Sequence, residues 1–358
     1  MKKLLFKLAL FSPLFLILIA IQWLSQNARF FNAPEYAIAQ SWLNQNNIAF
    51  SFDYDDRIAH KYYITQSEKK DIIVLGSSRS TKIDKDFFKN KTFFNHSVTG
   101  ADLEDYIGIY QLLVKKNTVP KEIIIGVDPW VLSEYKAKPK RWIDLRKEFY
   151  TFNKNNFTPQ NISMAFYYYQ EKYKTFFYLP HIQYTIERIL LTMSARFLNH
   201  KTLYSPTTDS DSFLPVVHAD GSIAESQKIR MKKPEDVTME INASKTLCPT
   251  ELNRQLSKTK ISIFNTFLNA LKKQNIKITV WLAPFHPITY TEIQSNPSCN
   301  LAISVEDYVR DISKKYNASI IGSYNPNHYN LKDSDFYDSI HPKKETVKNI
   351  FIKDNLEN

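Results

Sequence analysis

The sequence predicts an α/β protein built on a parallel β-sheet. Short β-branched runs at 71–76, 122–127 and 276–283 alternate with amphipathic stretches of helical spacing at 102–116 and 256–273. Continuous apolar runs are typical of strands that helices cover on both faces, and the alternation of strand and helix indicates a doubly wound sheet. Such sheets bind ligands at the carboxyl ends of their strands, so functional side chains are expected there.

Further elements extend this pattern and one long segment interrupts it. Strands are predicted at 92–95 and 318–322, and helices at 305–315 and 343–352. Between 133 and 247 the alternation stops, and aromatic stretches of helical spacing at 161–177 and 182–198 predict a mainly helical insertion. The insertion could form a cap or an acceptor-binding surface, or it could be purely structural.

The N-terminus predicts export from the cytoplasm. An apolar run at 4–24 follows two lysines and corresponds to roughly 30 Å of helix, which is enough to span a bilayer. A cleaved signal peptide is the alternative, but no clear A-x-A cleavage site follows the run. We therefore expect an uncleaved single-pass anchor in the cytoplasmic (inner) membrane at 1–24, a connector at 25–70, and an extracytoplasmic or periplasmic domain at 71–358.

Net charge and cysteine content add two expectations. The net charge of +11 suits a polyanionic partner, but no nucleic-acid-binding motif is present, so we expect no nucleic acid. Cys248 and Cys299 are the only cysteines. In an oxidising compartment such a pair suggests one disulfide, and two buried thiols are the alternative.

Polar residues gather where the predicted strands end. The first strand runs into Ser78, the second into the segment 95–102, and the third into Asp128. A serine at a strand end is placed as a nucleophile must be, and a glycine that opens a helix, such as Gly100, can direct its N–H at an oxyanion.

The loop before the last helix contains the pattern D-x-x-H-P, formed by Asp338, His341 and Pro342. A carboxylate three residues before a histidine can hold one imidazole nitrogen while the other nitrogen faces a nucleophile. The pair alone occurs by chance. With Ser78 and Gly100, however, it would complete a hydrolase site at one edge of the sheet.

The order of these features resembles the SGNH (GDSL-like) hydrolase superfamily. The segment 76–78 is similar to its first block, with serine in place of the usual aspartate, 95–102 is similar to its second block, and 338–342 matches its fifth block. The resemblance covers roughly 70–130 and 275–350 and leaves the insertion unexplained.

This resemblance implies a flavodoxin-like three-layer fold and a set of roles. Ser78 would be the nucleophile, His341 the base and Asp338 the residue that orients it. The backbone amides of Ser78 and Gly100 would hold the oxyanion, with Asn95 as a further candidate donor. No cofactor is expected, and the histidines show no metal-ligand spacing, so no metal is expected either.

One position departs from the family pattern. Asp128 stands where the superfamily usually has an asparagine, and an ionised carboxylate cannot donate a hydrogen bond to an oxyanion. Several explanations of this departure are open. Asp128 could be protonated, it could turn away toward Arg79, or Asn95 could donate in its place. Asp128 could also simply cap the end of the strand. Arg79, Asp128 and His286 are candidate substrate contacts, although a structural role is commoner for a histidine placed like His286.

The combination of these blocks with an N-terminal anchor resembles the arrangement in membrane-tethered members of the superfamily, such as the alginate acetylation proteins and the D-alanine transfer protein of teichoic acids. That resemblance implies a serine O-acetyltransferase or O-acetylesterase that acts on a cell-envelope polysaccharide, beside a multi-spanning membrane acyltransferase that supplies the acyl group. The alternative is a catalytically silent SGNH-fold protein that binds glycan and recruits the acyltransferase. Asp128 favours the alternative, and the Ser78, Asp338 and His341 set opposes it.

Overall fold

The chain folds around two β-sheets, as seen in a computed structural model that describes residues 12–13, 16–17, 33–50, 54–133, 144–156, 204–207, 213–244 and 255–357. The strands are β1 (Asn47–Phe50), β2 (Ile72–Leu75), β3 (Phe93–Asn95), β4 (Glu122–Gly126), β5 (Tyr204–Thr207), β6 (Val216–Val217), β7 (Ile223–Ala224), β8 (Lys277–Leu282) and β9 (Ser319–Gly322). The helices are α1 (Ala33–Leu43), α2 (Asp56–Gln66), α3 (Leu103–Lys116), α4 (Arg146–Asn156), α5 (Gln227–Arg230), α6 (Pro234–Ala243), α7 (Lys258–Lys273), α8 (Pro287–Ser295), α9 (Leu301–Tyr316) and α10 (Lys344–Glu357).

The larger sheet confirms the expected α/β class with parallel strands. Its order is β3-β2-β4-β8-β9, and every neighbouring pair is parallel, with Ile72 of β2 opposite Phe93 on one side and Glu122 on the other. The chain passes from β2 outward to β3 and then crosses back to β4. In doubly wound sheets such a reversal opens a crevice for ligands, here at the carboxyl ends of β2 and β4.

Side chains alternate between the two faces of this sheet. In β2, Ile73 and Leu75 belong to a large apolar cluster that includes α3 and α7, while Ile72 and Val74 belong to a smaller cluster that includes α10. Residues of β4 and β8 divide in the same way. Helices therefore cover both faces, which is compatible with a three-layer fold, and β2 is buried along its whole length.

The smaller sheet joins the connector to the inserted segment. Its strands are antiparallel in the order β5-β1-β6-β7, so the connector strand β1 lies between two strands of the insertion. The described part of the insertion thus contains short strands as well as α4, α5 and α6. The two long helices predicted at 161–177 and 182–198 lie outside the described residues.

The connector also contributes to the main core. Trp42 of α1 and Tyr63 of α2 pack against Phe94 of β3, with ring centroids 5.4 and 4.0 Å away. Both side chains are almost completely buried. Helices α1 and α2 therefore fold together with the parallel sheet.

The predicted anchor and cysteine pair are described only in part. No helix within the described ranges is long and apolar enough to cross a membrane, and only 12–13 and 16–17 of the predicted span at 4–24 are described. Cys299 is buried and disulfide-bonded. The chain's other cysteine, Cys248, lies outside the described residues.

Candidate active site

The turn after β2 presents Ser78 at the carboxyl edge of the sheet. Ser78 opens a 3₁₀ turn, and the Ser77 hydroxyl caps this turn by accepting a hydrogen bond from the Arg79 N–H. The turn lies close to the sheet because Ser80 fits between two glycines. A Cβ atom at Gly76 would lie 2.3 Å from Ser80 Oγ, and one at Gly126 would lie 2.1 Å from it. Ser78 is left half-buried among buried neighbours, so it can be reached from solvent.

The loop at 335–342 is folded tightly around Asp338. One carboxylate oxygen of Asp338 accepts hydrogen bonds from the backbone N–H groups of Ile340 and His341, both at 2.8 Å. The Tyr337 N–H donates to the His341 carbonyl at 2.9 Å, which closes the loop from the other side. These bonds fix the His341 backbone, so the imidazole has a defined position before any substrate binds.

Ser78, His341 and Asp338 form a hydrogen-bonded chain. His341 Nδ1 donates to the second oxygen of Asp338 at 2.7 Å, which leaves Nε2 to accept a hydrogen bond from the Ser78 hydroxyl at 2.9 Å. Burial raises the pKa of Asp338, but hydrogen bonds from His341 and from backbone N–H groups outweigh this and lower it to about 2. The carboxylate is therefore ionised at neutral pH and can stabilise a protonated His341.

Arg79, the residue after Ser78, ties the surrounding loops together. Its buried guanidinium donates to the carbonyls of Ile340 at 2.9 Å, Ala283 at 2.6 Å and Pro284 at 3.0 Å, and it lies 4.1 Å from the centre of the Phe285 ring. Because Ile340 directly precedes His341, the Arg79 side chain links the turn that begins at Ser78 (the nucleophile turn) to the loop at 335–342 that carries His341.

Asp128 completes the coordination of Arg79. Its carboxylate accepts from Arg79 Nη1 at 2.9 Å, and the two side chains are 3% and 0% exposed. Burial raises the pKa of Asp128, while Arg79 and the Ser77 hydroxyl oppose that rise. Among the orientations that the sequence left open, Asp128 adopts the one that turns toward Arg79, so its negative charge is compensated by a guanidinium.

His286 packs behind the loop at 335–342. Its backbone N–H donates to the Ser339 carbonyl at 3.1 Å, and its ring caps α8 by accepting from the Ile288 N–H at 3.3 Å. Nε2 lies 3.5 Å from an Asp333 oxygen, and burial lowers the pKa of the ring.

The structure buries all three candidate substrate contacts, Arg79, Asp128 and His286. Their exposed fractions are 1%, 2% and 0%. Arg79 Nη1 donates to Asp128 Oδ1, and His286 Nδ1 accepts from the Ile288 N–H. The three residues shape the site from beneath its surface.

Asn95 is also not available as an oxyanion donor. Its side-chain amide donates to the Ser80 carbonyl at 2.9 Å and to the Ile83 carbonyl at 2.8 Å, so both hydrogens are used. Its oxygen accepts from the Ser97 N–H at 2.9 Å. Asn95 holds the end of β3 against the nucleophile turn.

Gly100 lies in a loop that runs beside the nucleophile turn. The Val98 N–H donates to the Gly76 carbonyl at 2.9 Å, and Gly100 is exposed with a φ of 56°. This left-handed conformation favours glycine. In the part of the chain that the structure describes, the N–H groups of Ser78 and Gly100 donate to no protein acceptor. They are thus free to hydrogen-bond a ligand.

Sequence reasoning overlooked one charged side chain near this site. Lys82 is buried, pairs with Glu225 at 2.6 Å and donates to the Ile223 carbonyl at 2.9 Å. Burial lowers its pKa, while Glu225 and Asp338 oppose that change. Its position four residues after Ser78 was the only available signal, because Glu225 comes from the insertion.

Within the described ranges, no three metal-ligating side chains lie close enough together to bind an ion.

Compared with known proteins, the sequence matches no family model and no curated protein, so the interpretation of this site depends on its geometry and on the sequence motifs.

Proposed function

We propose that this protein is a membrane-anchored, extracytoplasmic serine acyl-transfer enzyme of the SGNH type, an O-acetyltransferase or O-acetylesterase for a cell-envelope polysaccharide. The observation that carries the proposal is the chain from Ser78 to His341 to Asp338, at 2.9 and 2.7 Å. The strand order supports the flavodoxin-like fold of that superfamily, and the apolar run at 4–24 supports the anchor.

The first half-reaction transfers an acyl group to the protein. His341 Nε2 takes the Ser78 proton as Oγ attacks the ester carbonyl, and the N–H groups of Ser78 and Gly100 hold the oxyanion. Collapse of the tetrahedral intermediate breaks the ester bond, and the leaving alkoxide takes the proton from His341. The products are an alcohol and an ester of Ser78.

The second half-reaction releases the acyl group. His341 takes a proton from an acceptor hydroxyl, which attacks the Ser78 ester, and then returns that proton to Ser78 Oγ. A sugar hydroxyl as acceptor gives transfer, whereas water gives hydrolysis. A multi-spanning membrane acyltransferase is the proposed source of the acyl group for transfer.

The Arg79–Asp128 pair weakens the case for a silent scaffold. An uncompensated carboxylate beside the oxyanion would oppose catalysis, but Asp128 is turned to a guanidinium 2.9 Å away. The experiment below distinguishes the enzyme from the catalytically silent scaffold.

Acetylation of the envelope glycan distinguishes these activities. Cells that carry the native chain are compared with cells that carry Ser78→Ala at equal protein level, and glycan O-acetyl content is measured. Less acetyl in the variant indicates transfer, and more indicates removal. Equal acetyl content, together with no Ser78-dependent hydrolysis of p-nitrophenyl acetate by the purified chain, would contradict the proposed function and favour the scaffold.

A further inference from the structure

The N-terminal turn of α2 contacts the loop that carries Gly100 at two points. A carboxylate oxygen of Asp56 accepts a hydrogen bond from the Thr99 N–H. Arg57 Nη2 donates to the Gly100 carbonyl at 3.5 Å. The peptide groups on both sides of the Thr99–Gly100 bond are thus held by adjacent residues of the connector.

A third contact lies one helical turn further along α2. His60 Nε2 donates to the Ser97 carbonyl at 3.3 Å, and its other ring nitrogen lies 3.1 Å from His96 Nδ1. His60 is buried and stacks on Trp42 with ring centroids 4.8 Å apart. Contacts with α2 therefore extend over 96–100.

These contacts are rigid because Arg57 is locked by two carboxylates. It binds both oxygens of Asp105 in α3 at 2.9 Å, and Asp56 through Nη1 at 2.9 Å. The Arg57 and Asp105 side chains are 3% and 0% exposed. Asp105 also accepts from the Asp102 N–H at 2.8 Å, which fixes the end of the loop where α3 begins. Bidentate, buried pairs of this kind define geometry more strictly than surface pairs do.

We propose that Asp56, Arg57 and His60 are positioning residues for the oxyanion amide of Gly100, so that the connector is part of the catalytic unit. This inference rests on the proposed function. An oxyanion donor stabilises the transition state only if it is already aimed at the developing charge, because reorganisation during the reaction would consume the benefit. Gly100 is exposed on a loop, and α2 supplies fixed points on both sides of its amide.

The test measures p-nitrophenyl acetate hydrolysis by the detergent-solubilised full chain. Asp56→Ala removes the acceptor for the Thr99 N–H, and Asp56→Asn keeps one oxygen. We expect kcat to fall about 10- to 100-fold in the alanine variant and less in the asparagine variant, with KM unchanged within about twofold. The pH dependence of kcat should keep its midpoint, because the Asp338–His341 pair is untouched. The Thr99 amide should exchange its hydrogen faster.

A matched control separates positioning from stability. Tyr329→Phe removes a hydrogen bond of 2.6 Å to Asp354 in the region of the smaller cluster around α10, on the other face of the sheet. It should lower the melting temperature with kcat retained. An Asp56→Ala kcat within twofold of the native value would overturn the inference, as would an equal kcat loss in the control at equal destabilisation. A native chain without Ser78-dependent hydrolysis would overturn the inference, and it would contradict the proposed function as well if glycan acetylation is also equal in cells that carry Ser78→Ala.

Discussion

At the scale of single residues, Arg79 links the turn that carries Ser78 to the loop that carries His341. Its guanidinium has five donors, and the acceptors are three carbonyls and the Asp128 carboxylate. A lysine has no planar fork and could not reproduce this arrangement. The loops that Arg79 joins follow different strands, so several acceptors must be met from one fixed position. The position next to Ser78 therefore requires arginine.

We predict that Arg79 and Asp128 are strongly coupled in stability. Arg79→Met leaves a buried carboxylate without its partner, and Asp128→Leu leaves a buried guanidinium, so each should lower the unfolding free energy by about 3–5 kcal/mol. The double variant should be less destabilised than the sum of the two by at least about 1 kcal/mol. Urea denaturation of the four proteins measures this coupling.

The exposed pair of Lys314 and Asp311, at 3.2 Å with side chains about four-fifths exposed, is the control cycle. Its coupling should be close to zero because solvent screens exposed pairs. Additive effects of Arg79→Met and Asp128→Leu would show that the buried contact does not act as a pair.

Part of this residue-scale picture was predictable from the sequence. Ser78 and the Asp338–His341 pair follow from their positions at predicted strand ends and from the three-residue spacing. The orientation of Asp128 does not, because the arginine that it meets is 49 positions away in the chain. The same reason applies to the contact of the His286 backbone with the Ser339 carbonyl, and the Asn95 side chain meets its carbonyl partners only through the turn that follows β2.

At the scale of elements, α2 and the end of β3 meet through a neutral histidine pair. His60 Nε2–H donates to the Ser97 carbonyl, so its Nδ1 accepts from His96 Nδ1–H at 3.1 Å. Burial lowers the pKa of His60 to about 4 and that of His96 well below its ordinary value. For His60, Asp56 opposes this shift and Arg57 adds to it, while Lys70 further lowers the pKa of His96.

We predict that this pair contributes a loss of stability in acid. Between about pH 6.5 and 4 the unfolded chain protonates His60 and the folded chain does not, so the contribution of His60 to stability falls as the pH falls through that window. For His60 alone the loss is on the order of 3 kcal/mol. In urea denaturation at several pH values, the native chain should lose more stability, or gain less, on acidification than His60→Gln.

The difference in pH dependence between the native chain and His60→Gln isolates the contribution of His60 to stability. Burial raises the pKa of Asp102 to about 7, which favours the folded state at lower pH and acts in the opposite direction. Asp102 is present in both proteins, so its effect cancels. Equal slopes in the native chain and His60→Gln would contradict the assignment of a buried, neutral pair.

Elements were predictable where the chain has a strong periodic pattern. The apolar runs predicted the strands of the parallel sheet, and α7 and α10 lie close to their expected positions. The strands β6 and β7 have two residues each, too few for any alternation. β6 forms because β1 supplies a partner, and β7 forms because it pairs with β6. Helix α8 begins at a proline capped by His286 and was not expected.

At the scale of the whole molecule, the described parts of the connector and of the insertion fold together with the parallel sheet. The connector packs Trp42 into the main core, pairs β1 with strands of the insertion, and holds the Gly100 loop through α2. The family resemblance covers only the segments that carry the motifs. Contacts between segments that are distant in the chain therefore could not be predicted from the sequence.

The central claim is that Ser78 is an activated nucleophile, and reaction with a fluorophosphonate tests it most directly. The detergent-solubilised chain is incubated with the probe, and the adduct is located by peptide mass spectrometry. Ser78→Ala should abolish labelling, while Ser80→Ala, which changes a buried neighbour in the same turn, should retain it. We predict one adduct, on Ser78, formed faster in the native chain than in Asp338→Asn. No adduct on Ser78, or equal labelling of Ser78→Ala, would contradict the claim.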